Sequence, residues 1–391
     1  MNIDHFLKEF QTDLIQIRRK LHRCAELSTL EFETGALIRH YLEQWEISYD
    51  FPIAETGIVA KIFGKKPGKT IALRTDMDAL PLQENADFSY ISKTPGIMHA
   101  CGHDAHMAIA LGAARYFKLC ENQCSGCIKI FFQPAEETVG GAKRMIKDGC
   151  MENPSVDYVI GLHVAPYLET GEIEIKHGNF YAASDEVAIT VNGKGCHGAY
   201  PHTGIDAIVL ASELICALQT VISRNIPPTE PCVFSLGTIH GGSAHNVIAD
   251  KVELTGALRT VTPDTRKRVQ TLIQQLSKQI PEAFGGQGSA VFTPGYDALI
   301  NTDALVDLFV ETAAPILGRE HIHWKSEPGM GVEDFSHFLE KTPGVFYHLG
   351  CGNQKKGITA PLHSQDFSLD ETCLSLGLHL QIALTETLLK T

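Results

Sequence analysis

Apolar residues recur at three- and four-residue spacing over the first 21 positions, and this spacing predicts an amphipathic helix. Farther along the chain, short apolar runs predict buried strands at 58–63, 70–74, 127–132 and 156–162. A helical pattern at 33–45 precedes these runs, and two more lie between them, at 104–119 and 141–147. Strands that alternate with helices predict an α/β domain with a largely parallel sheet.

The pattern changes near residue 182, where alternating polar and apolar positions replace the continuous apolar runs. Such alternation is typical of strands with one exposed face. The segments expected here are strand 186–191, helix 206–223, strand 232–238, strand 251–258, helix 264–283 and a strand around Ala290. This βαββαβ order favours a small ferredoxin-like α+β domain. We therefore expect a discontinuous larger domain, 1–181 and 295–391, with a lid domain inserted at 182–294.

Composition narrows the class of protein. The chain has 391 residues, of which 44% are hydrophobic and 20% charged, and its net charge is −13. An acidic globular chain without a basic face disfavours a nucleic-acid partner. No apolar stretch approaches the roughly 18 residues of a membrane span, and the first residues lack the pattern of a signal peptide. A cytoplasmic location away from membranes is the expectation, and an odd count of eleven cysteines argues against a disulfide framework.

Acidic and metal-binding residues follow three of the predicted strands. Asp76 and Asp78 come after the run at 70–74, Glu136 and Glu137 after the run at 127–132, and His163 after the run at 156–162. One such residue is typical of a cap or a turn. Three groups at the carboxyl ends of separate strands instead predict a shared crevice, because ligand sites of open α/β sheets lie at that edge.

The segment from His99 to His106 concentrates metal-binding side chains. It reads HACGHDAH, and Cys101 and His103 have the two-residue spacing that lets a loop wrap one ion. A thiolate and an imidazole suit zinc or another late first-row divalent ion. The alternative is a polar loop around a buried cysteine, with Asp104 as a helix cap.

The adjacent pair Glu136–Glu137 favours a cation as well. Two neighbouring carboxylates repel each other, and burying both without a cation costs several kcal/mol. One carboxylate can bind a metal ion while the other accepts a proton from water, which is what metal-assisted hydrolysis requires. The alternative is a solvated pair in a loop.

Two cysteine patterns are expected to carry no chemistry. Cys120, Cys124 and Cys127 have a C-x3-C-x2-C spacing known from iron–sulfur sites, but nothing else in the chain supports such a cluster. Cys196 stands beside His197, and neighbours in sequence do not usually point at each other. We interpret these cysteines as incidental.

Nine stretches spread over nearly the whole chain form one further pattern. They are RRKLH at 18–22, LRTDMDALPLQE at 73–84, HACGHDAHMA at 99–108, FQPAEE at 132–137, GLHV at 161–164, HGAYPHTGIDA at 197–207, HNVIADKVELTGALRT at 245–260, MGVEDF at 330–335 and LHSQDF at 362–367. In their order they resemble the peptidase M20 family of dinuclear metallohydrolases, and most closely its amidohydrolase branch.

The resemblance implies a site for two divalent metal ions in the larger, catalytic domain. The ligands would be Cys101, His103, Glu137, His163 and His363, with Cys101 bridging where other branches use an aspartate. Glu136 would be the general base that activates water, and Asp78 would orient a ligand. The softness of the thiolate favours zinc, with manganese, cobalt or nickel as alternatives.

The resemblance also assigns roles within the lid domain. His197 would stabilise the oxyanion, from the same or the partner subunit, because a donor aimed at developing negative charge lowers the barrier of acyl transfer. Asn246 and Arg259 would bind the α-carboxylate of the substrate, since arginine offers a bidentate fork. In that family the lid often forms a homodimer interface.

The activity implied is hydrolysis of the amide bond of N-acyl amino acids, as in aminoacylases and hippurate hydrolases. Alternatives within the family are a dipeptidase or carboxypeptidase and an N-acetyl-diaminopimelate deacetylase. A catalytically silent binding protein for acyl-amino acids is a more remote alternative, because all five ligands and Glu136 are present. A closed structural zinc site would have no use for the second glutamate.

Overall fold

The structure is a computed structural model that describes residues 1–86 and 88–391. The chain divides into two compact units. The first unit comprises Met1–Phe180, Ile300–Ser326 and Asp334–Thr391, and the second comprises Tyr181–Leu299 and Glu327–Glu333. The chain therefore leaves the first unit, builds most of the second, and returns.

The secondary structure is numbered in chain order. The strands are β1 Ser48–Ile53, β2 Gly57–Phe63, β3 Lys66–Asp76, β4 Ser125–Gln133, β5 Tyr158–Glu169, β6 Ile173–Ile175, β7 Gly178–Tyr181, β8 Ala183–Asn192, β9 Cys196–His197, β10 Cys232–Gly241, β11 Val247–Ile248, β12 Lys251–Thr260, β13 Gln287–Pro294, β14 Leu299–Asn301, β15 Ile322–Trp324 and β16 Gly344–Gly352. The helices are α1 Ile3–Arg23, α2 Phe32–Gln44, α3 His103–Cys120, α4 Gly141–Lys147, α5 Ala207–Asn225, α6 Pro263–Ala283, α7 Asp303–Leu317, α8 Ser336–Leu339 and α9 Cys373–Lys390. Single 3-10 turns occur at Pro201–Thr203, Arg319–His321 and Gln354–Lys356.

Among the described residues, the first unit is built on an eight-stranded sheet of order β1-β2-β4-β3-β5-β16-β6-β15. The four inner strands β4, β3, β5 and β16 run parallel, whereas β1 and β2 at one side pair antiparallel. The predicted largely parallel sheet is confirmed. Its consequence is that β3, β4 and β5 end at one edge, where parallel strands of an open sheet place their ligand sites.

Helices cover the sheet with their apolar sides. The first predicted helix is α1, and its apolar positions Phe6, Phe10, Leu14, Ile17 and Leu21 are all buried. The central helix α3 is buried along nearly its whole length, because it packs against α1, α9 and β3. A continuous hydrophobic core results, and it fixes the first turn of α3 at the carboxyl edge of the sheet.

The second unit has its own core. Within Tyr181–Leu299, all of which is described, an antiparallel sheet of order β10-β12-β8-β13 is packed by α5 and α6. Every second residue of β8 from Val187 to Val191 is buried, as its alternating pattern predicts. The element order β8-α5-β10-β12-α6-β13 agrees with the predicted βαββαβ order.

Helix α5 corrects one expectation from the sequence. By length and composition, Ala207–Asn225 is apolar enough to cross a membrane, although no stretch was expected to approach that length. Its buried positions, which include Leu210, Leu214 and Leu218, recur at four-residue spacing. This stripe packs into the core of the second unit, while Ile208 and Val209 remain exposed. We therefore interpret α5 as a core helix whose exposed side also carries apolar residues.

Several short or edge strands were missed. The sequence analysis did not predict β1, whose residues are mostly exposed and include Pro52, because its pattern has neither alternation nor an apolar run. Strand β5 continues to Glu169, seven residues beyond the predicted end at 162. Strand β1 lies at one side of the sheet, whereas the extension of β5 lies at its carboxyl end and includes His163, which the sequence had placed just after the strand.

Candidate metal centre

Cys101 lies at the centre of the candidate site. Its Sγ atom is 3.3 Å from His163 Nε2 and 3.3 Å from His363 Nε2. The donor atoms of Cys101, His103 and His163 lie within 4.8 Å of one another, and so do those of Cys101, Glu137 and His363. The thiol is therefore the donor that these two groups have in common.

A left-handed glycine makes the loop before α3 possible. Gly102 has φ 81°, and a Cβ atom there would lie 2.4 Å from the Val164 side chain. A side chain at this position would therefore meet both backbone strain and a clash. The turn places Cys101 and His103 on either side of Gly102, at the amino-terminal end of α3.

Hydrogen bonds fix the orientation of two of the histidines. His103 Nδ1 lies 2.8 Å from the backbone oxygen of Asp78, and His163 Nδ1 lies 2.8 Å from the backbone oxygen of Val164. An imidazole nitrogen that faces a carbonyl oxygen must donate, so in the neutral ring Nε2 carries the lone pair. Both Nε2 atoms face the shared crevice, which is the tautomer that metal binding requires.

Asp78 connects a histidine to the glutamate pair. Its Oδ2 accepts hydrogen bonds from the backbone N–H of Glu137 at 2.9 Å and from Ser28 Oγ at 2.7 Å, and its Oδ1 is 3.3 Å from His103 Nδ1. Burial acts to raise the pKa of Asp78, but the hydrogen bonds, first that of His103, hold it below its usual value. The carboxylate is thus placed where the sequence predicts an orienting residue, and that role stays a prediction.

His363 approaches the site from a loop near the end of the chain. It has φ 59°, its backbone N–H donates to Ala100 O at 2.9 Å, and its Nε2 is 3.4 Å from Glu137 Oε1. The close contact with the Glu137 carboxylate raises the pKa of His363. The side chain is 53% exposed, whereas His103 is buried. One side of the crevice is therefore open to solvent.

Glu136 stands beside this set. Its carboxylate belongs to a third group of donors with His103 and Glu137, and the residue is 9% exposed. Ala135, which precedes it, has φ 57°, and its backbone N–H donates to Glu31 Oε1 at 2.9 Å. The strained turn after β4 therefore presents both glutamates at the sheet edge.

The donor set fits divalent cations. Among the described residues, His103 Nε2 and Glu137 Oε1 are buried side-chain atoms without a hydrogen-bond partner, and they lie 3.8 Å apart. Burial raises the pKa of the Cys101 thiol well above its usual value, and the neighbouring glutamates act in the same direction. Since such atoms are costly to leave unsatisfied and a bound cation deprotonates a thiol, the site is complete with cations and incomplete without them.

Beneath the site lies a layer of buried side chains for which no role was expected from the sequence. Asp76 Oδ1 pairs with His106 Nδ1 at 2.6 Å, and His106 Nε2 accepts from Val164 N–H at 2.9 Å. Both nitrogens of His106 are therefore used, and the ring supports the strand that carries His163. The signal available in the sequence was spacing, because His106 follows His103 by one helical turn.

A buried ion pair supports the base of the same layer. Arg74 donates to Asp76 at 2.8 Å and to Asp334 at 2.9 Å, and Asp334 also accepts from Gln133 Nε2 at 2.8 Å. These side chains are buried, and they tie the carboxyl ends of β3 and β4 to the loop before α8. Nothing in the sequence pairs residues so far apart, so this network could not be predicted.

The predicted lid residues all belong to the second unit. His197 on β9 pairs in register with Val247 on β11, and the Gly198 N–H donates to Asn246 O at 2.8 Å, so His197 and Asn246 are neighbours. His197 Nδ1 accepts from Ala199 N–H at 3.0 Å, and the residue is exposed. These two predicted residues therefore lie together within their unit.

Arg259 lies apart from that pair, on β12. It lines a cavity of about 270 Å³ with Asp185, Glu186 and the glycines 256 and 295. Within the described part of the chain, its Nη1 atom has no hydrogen-bond partner. Burial lowers the pKa of Arg259. Its predicted role in binding a carboxylate stays a prediction.

The cysteines expected to be incidental are thiols in this structure. All eleven cysteines are unpaired, and Cys120 and Cys127 are buried at the end of α3 and the start of β4. Cys196 Sγ lies 3.5 Å from Tyr200 O, so it faces a backbone oxygen.

Known proteins resemble this chain over nearly its full length. Residues 72–385 match the model of peptidase family M20/M25/M40. The chain is 38% identical to thermostable carboxypeptidase 1 of Saccharolobus solfataricus, covering 95% of this chain and 94% of that protein. It is 39% identical to an N-acetyl-L-cysteine deacetylase of Bacillus subtilis, covering 94% and 86%. The crystal structure of a dinuclear metal-binding M20 peptidase from Bacillus subtilis is similar with a TM-score of 0.86 and 32% identity, covering 98% and 99%.

Proposed function

Because the chain belongs to peptidase family M20/M25/M40 and is a hydrolase of amide or peptide bonds, we propose that it cleaves N-acyl amino acids with two divalent metal ions. The observation that carries this proposal is the position of Cys101, whose thiol belongs to two donor groups at once. A site for one ion would need only one of these two donor groups. The relative that is a deacetylase of N-acetyl-L-cysteine supports the substrate class.

The residues of the site have separate roles in hydrolysis. Cys101, His103, Glu137, His163 and His363 would hold the two ions, which supply Lewis-acid polarisation and a lowered pKa of water when bound. Glu136 takes the proton of the attacking water and returns it to the leaving amine. Asp78 keeps His103 in the tautomer described above. His197 stabilises the oxyanion, and Arg259 and Asn246 hold the carboxylate of the substrate.

Zinc is the proposed ion. The shared ligand is a thiol, and three imidazoles and one carboxylate complete the set, a composition that suits zinc better than the harder manganese ion. Cobalt or nickel would bind the same donors.

A carboxypeptidase activity is the second candidate. It is favoured by the relative from Saccharolobus solfataricus, which is a thermostable carboxypeptidase. Both activities need a receptor for a free α-carboxylate, so Arg259 does not distinguish them. The difference lies in what precedes the scissile bond, an acyl group or an amino acid residue.

Hydrolysis of a substrate panel by the zinc-loaded protein tests the proposal. The panel contains N-acetyl amino acids including N-acetylcysteine, hippurate, N-acetyl-diaminopimelate and dipeptides. Cleavage of N-acyl amino acids at higher kcat/KM than dipeptides supports the proposal, and the reverse order supports the carboxypeptidase. A protein that binds metal and cleaves none of them contradicts both.

Arg259→Ala is expected to raise KM for an N-acyl amino acid by about 10- to 100-fold, because hydrogen bonds to a charged group contribute about 1.5–3 kcal/mol. The same variant should leave KM unchanged for a substrate whose carboxylate is amidated. Steady-state kinetics with both substrates is the measurement. Arg268→Ala, on the exposed side of α6, is the matched control. Equal KM changes for both substrates would show that Arg259 does not bind the carboxylate.

The second unit also offers a surface for a second copy of the chain. β10 is an edge strand of ten residues, and Ile239 and Val233 on it are 57% and 42% exposed. Exposed apolar edge strands are templates for pairing, and an antiparallel strand can pair with its own copy about a twofold axis. We propose a homodimer through β10 and the exposed face of α5.

Substitution of Ile239 by glutamate is expected to convert this dimer to a monomer, because it places a charge on the exposed apolar strand that the interface would bury. Light scattering coupled to size-exclusion chromatography measures the mass. Val291→Glu, at an exposed position of the opposite edge strand β13, serves as the control and should stay dimeric. A wild-type protein that elutes as a monomer would disprove the proposed interface.

A further inference from the structure

We propose that residues 81–97, called the strap here, hold the two ligand-bearing loops of the metal centre at a fixed distance from each other. Glu84 and Asn85 are its positioning residues. This inference rests on the dinuclear site proposed above. It concerns two side chains that touch none of the five proposed metal ligands. The described part of the strap is residues 81–86 and 88–97.

The two ends of the strap meet at one pair of backbone hydrogen bonds. Leu80 N–H donates to Met98 O at 3.0 Å, and Met98 N–H donates to Leu80 O at 3.1 Å. Asp78 stands just before this closure, and Cys101 stands just after it. The strap is therefore inserted between two parts of the same site, as an Ω-loop joined at its neck.

Glu84 connects the strap to the loop of Cys101 and His103. Its Oε1 is 2.8 Å from His22 Nε2, and the opposite nitrogen of His22 is 2.8 Å from Asp104 Oδ2. Arg18 Nε donates to the same Asp104 oxygen at 2.6 Å. Asp104 follows His103 directly at the start of α3. Since His22, Arg18 and Asp104 are buried, this connection is rigid.

A hydrogen bond from a backbone N–H holds Glu84 within the strap, and two aromatic rings of the strap pack near its partner His22. The rings of Phe88 and Tyr90 stack at 4.2 Å and approach the His22 ring at 5.9 and 5.7 Å. Glu84 Oε2 accepts from the Ser92 N–H at 2.7 Å. Both carboxylate oxygens of Glu84 are thus engaged, one within the strap and one on His22.

Asn85 connects the strap to the loop of His363. Its backbone N–H donates to Gln365 O at 2.9 Å, and its side-chain Nδ2 donates to Asp366 Oδ1 at 2.7 Å. These residues follow His363 closely, and His363 is the exposed ligand with a left-handed backbone. Adjacent residues of the strap therefore reach the two loops.

The consequence concerns the affinity for the second ion. Two cations that share a thiol demand fixed separations of the remaining ligands, and partners outside the ligand set change metal affinity by about 10- to 100-fold. Asn85→Ala removes the side-chain bond to Asp366 and keeps the backbone bond to Gln365, so it loosens the loop of His363 and leaves the buried Glu84 connection intact. We therefore expect one ion to bind more weakly and the other to bind as before.

Titration of the metal-free protein with Co²⁺ tests this inference. The near-ultraviolet thiolate-to-cobalt band and the visible d–d bands report each equivalent bound. Asn85→Ala is expected to weaken one of two equivalents by about 10-fold or more, with the thermal unfolding midpoint of the metal-free protein unchanged. Asn122→Ala, at an exposed turn beyond α3, is the matched control.

A charge exchange distinguishes positioning from a general loss of structure. Asn85→Asp places a carboxylate opposite Asp366 and should weaken the same equivalent further. Asp366→Asn combined with Asn85→Asp restores a hydrogen bond with donor and acceptor exchanged, and it should recover binding. Two equivalents of wild-type affinity in Asn85→Ala, or no recovery in the double variant, would overturn the proposed positioning role of the strap. Fewer than two equivalents in the wild-type protein would instead overturn the dinuclear site.

Discussion

Glu136→Gln is expected to lower kcat by about 10²- to 10⁴-fold and to leave two metal ions bound. The amide has nearly the shape of the carboxylate but cannot accept the proton of water. Glu136 is 9% exposed and lies with Glu137 and His103 in one donor group, so its carboxylate is close enough to act on a water held there.

The measurement pairs steady-state kinetics with metal content by mass spectrometry. Glu152→Gln, in an exposed turn, is the matched control and should behave as the wild-type protein. Loss of an ion together with activity would assign Glu136 to the ligands. Retained turnover would remove it from the mechanism.

Cys101→Ala is expected to lose both ions. Each donor group loses its shared atom, since Cys101 belongs to the set with His103 and His163 and to the set with Glu137 and His363. The fall in affinity should exceed the about 10- to 100-fold typical of a partner outside the ligand set. Metal content after dialysis against a weak chelator measures it.

Cys101→Asp is the informative partner of that variant. A carboxylate can also bridge two cations, so this protein should keep two ions while the thiolate band of its cobalt form disappears. Cys120→Ala, a buried cysteine at the far end of α3, controls for the loss of a thiol in the core. Loss of a single ion from Cys101→Ala would make the cysteine a terminal ligand.

The sequence was most informative where local pattern and chemistry coincide. The apolar runs that precede Asp76, Glu136 and His163 predicted that the carboxyl edge of the sheet carries the site, because ligands of open α/β sheets bind outside the carboxyl ends of the strands. The two-residue spacing of Cys101 and His103 predicted a metal loop. His363 entered only through resemblance to a family, since no local pattern distinguishes it.

What escaped prediction depends on contacts between distant positions. Arg74 meets Asp334, and Asn85 meets Asp366, across more than 250 positions of sequence. His106 was visible in its motif, yet its role follows from a backbone N–H on β5. Hydrogen bonds of this kind depend on tertiary structure that periodicity does not encode.

The position of β16 determines when the sheet can be completed on the ribosome. It lies between β5 and β6, yet the chain makes all of the second unit before it reaches Gly344. Pairing between strands so far apart in sequence is slow, and β5 keeps an unpaired edge until β16 arrives. A nascent or truncated chain that stops before residue 344 therefore presents the strand of His163 as an open template for aggregation.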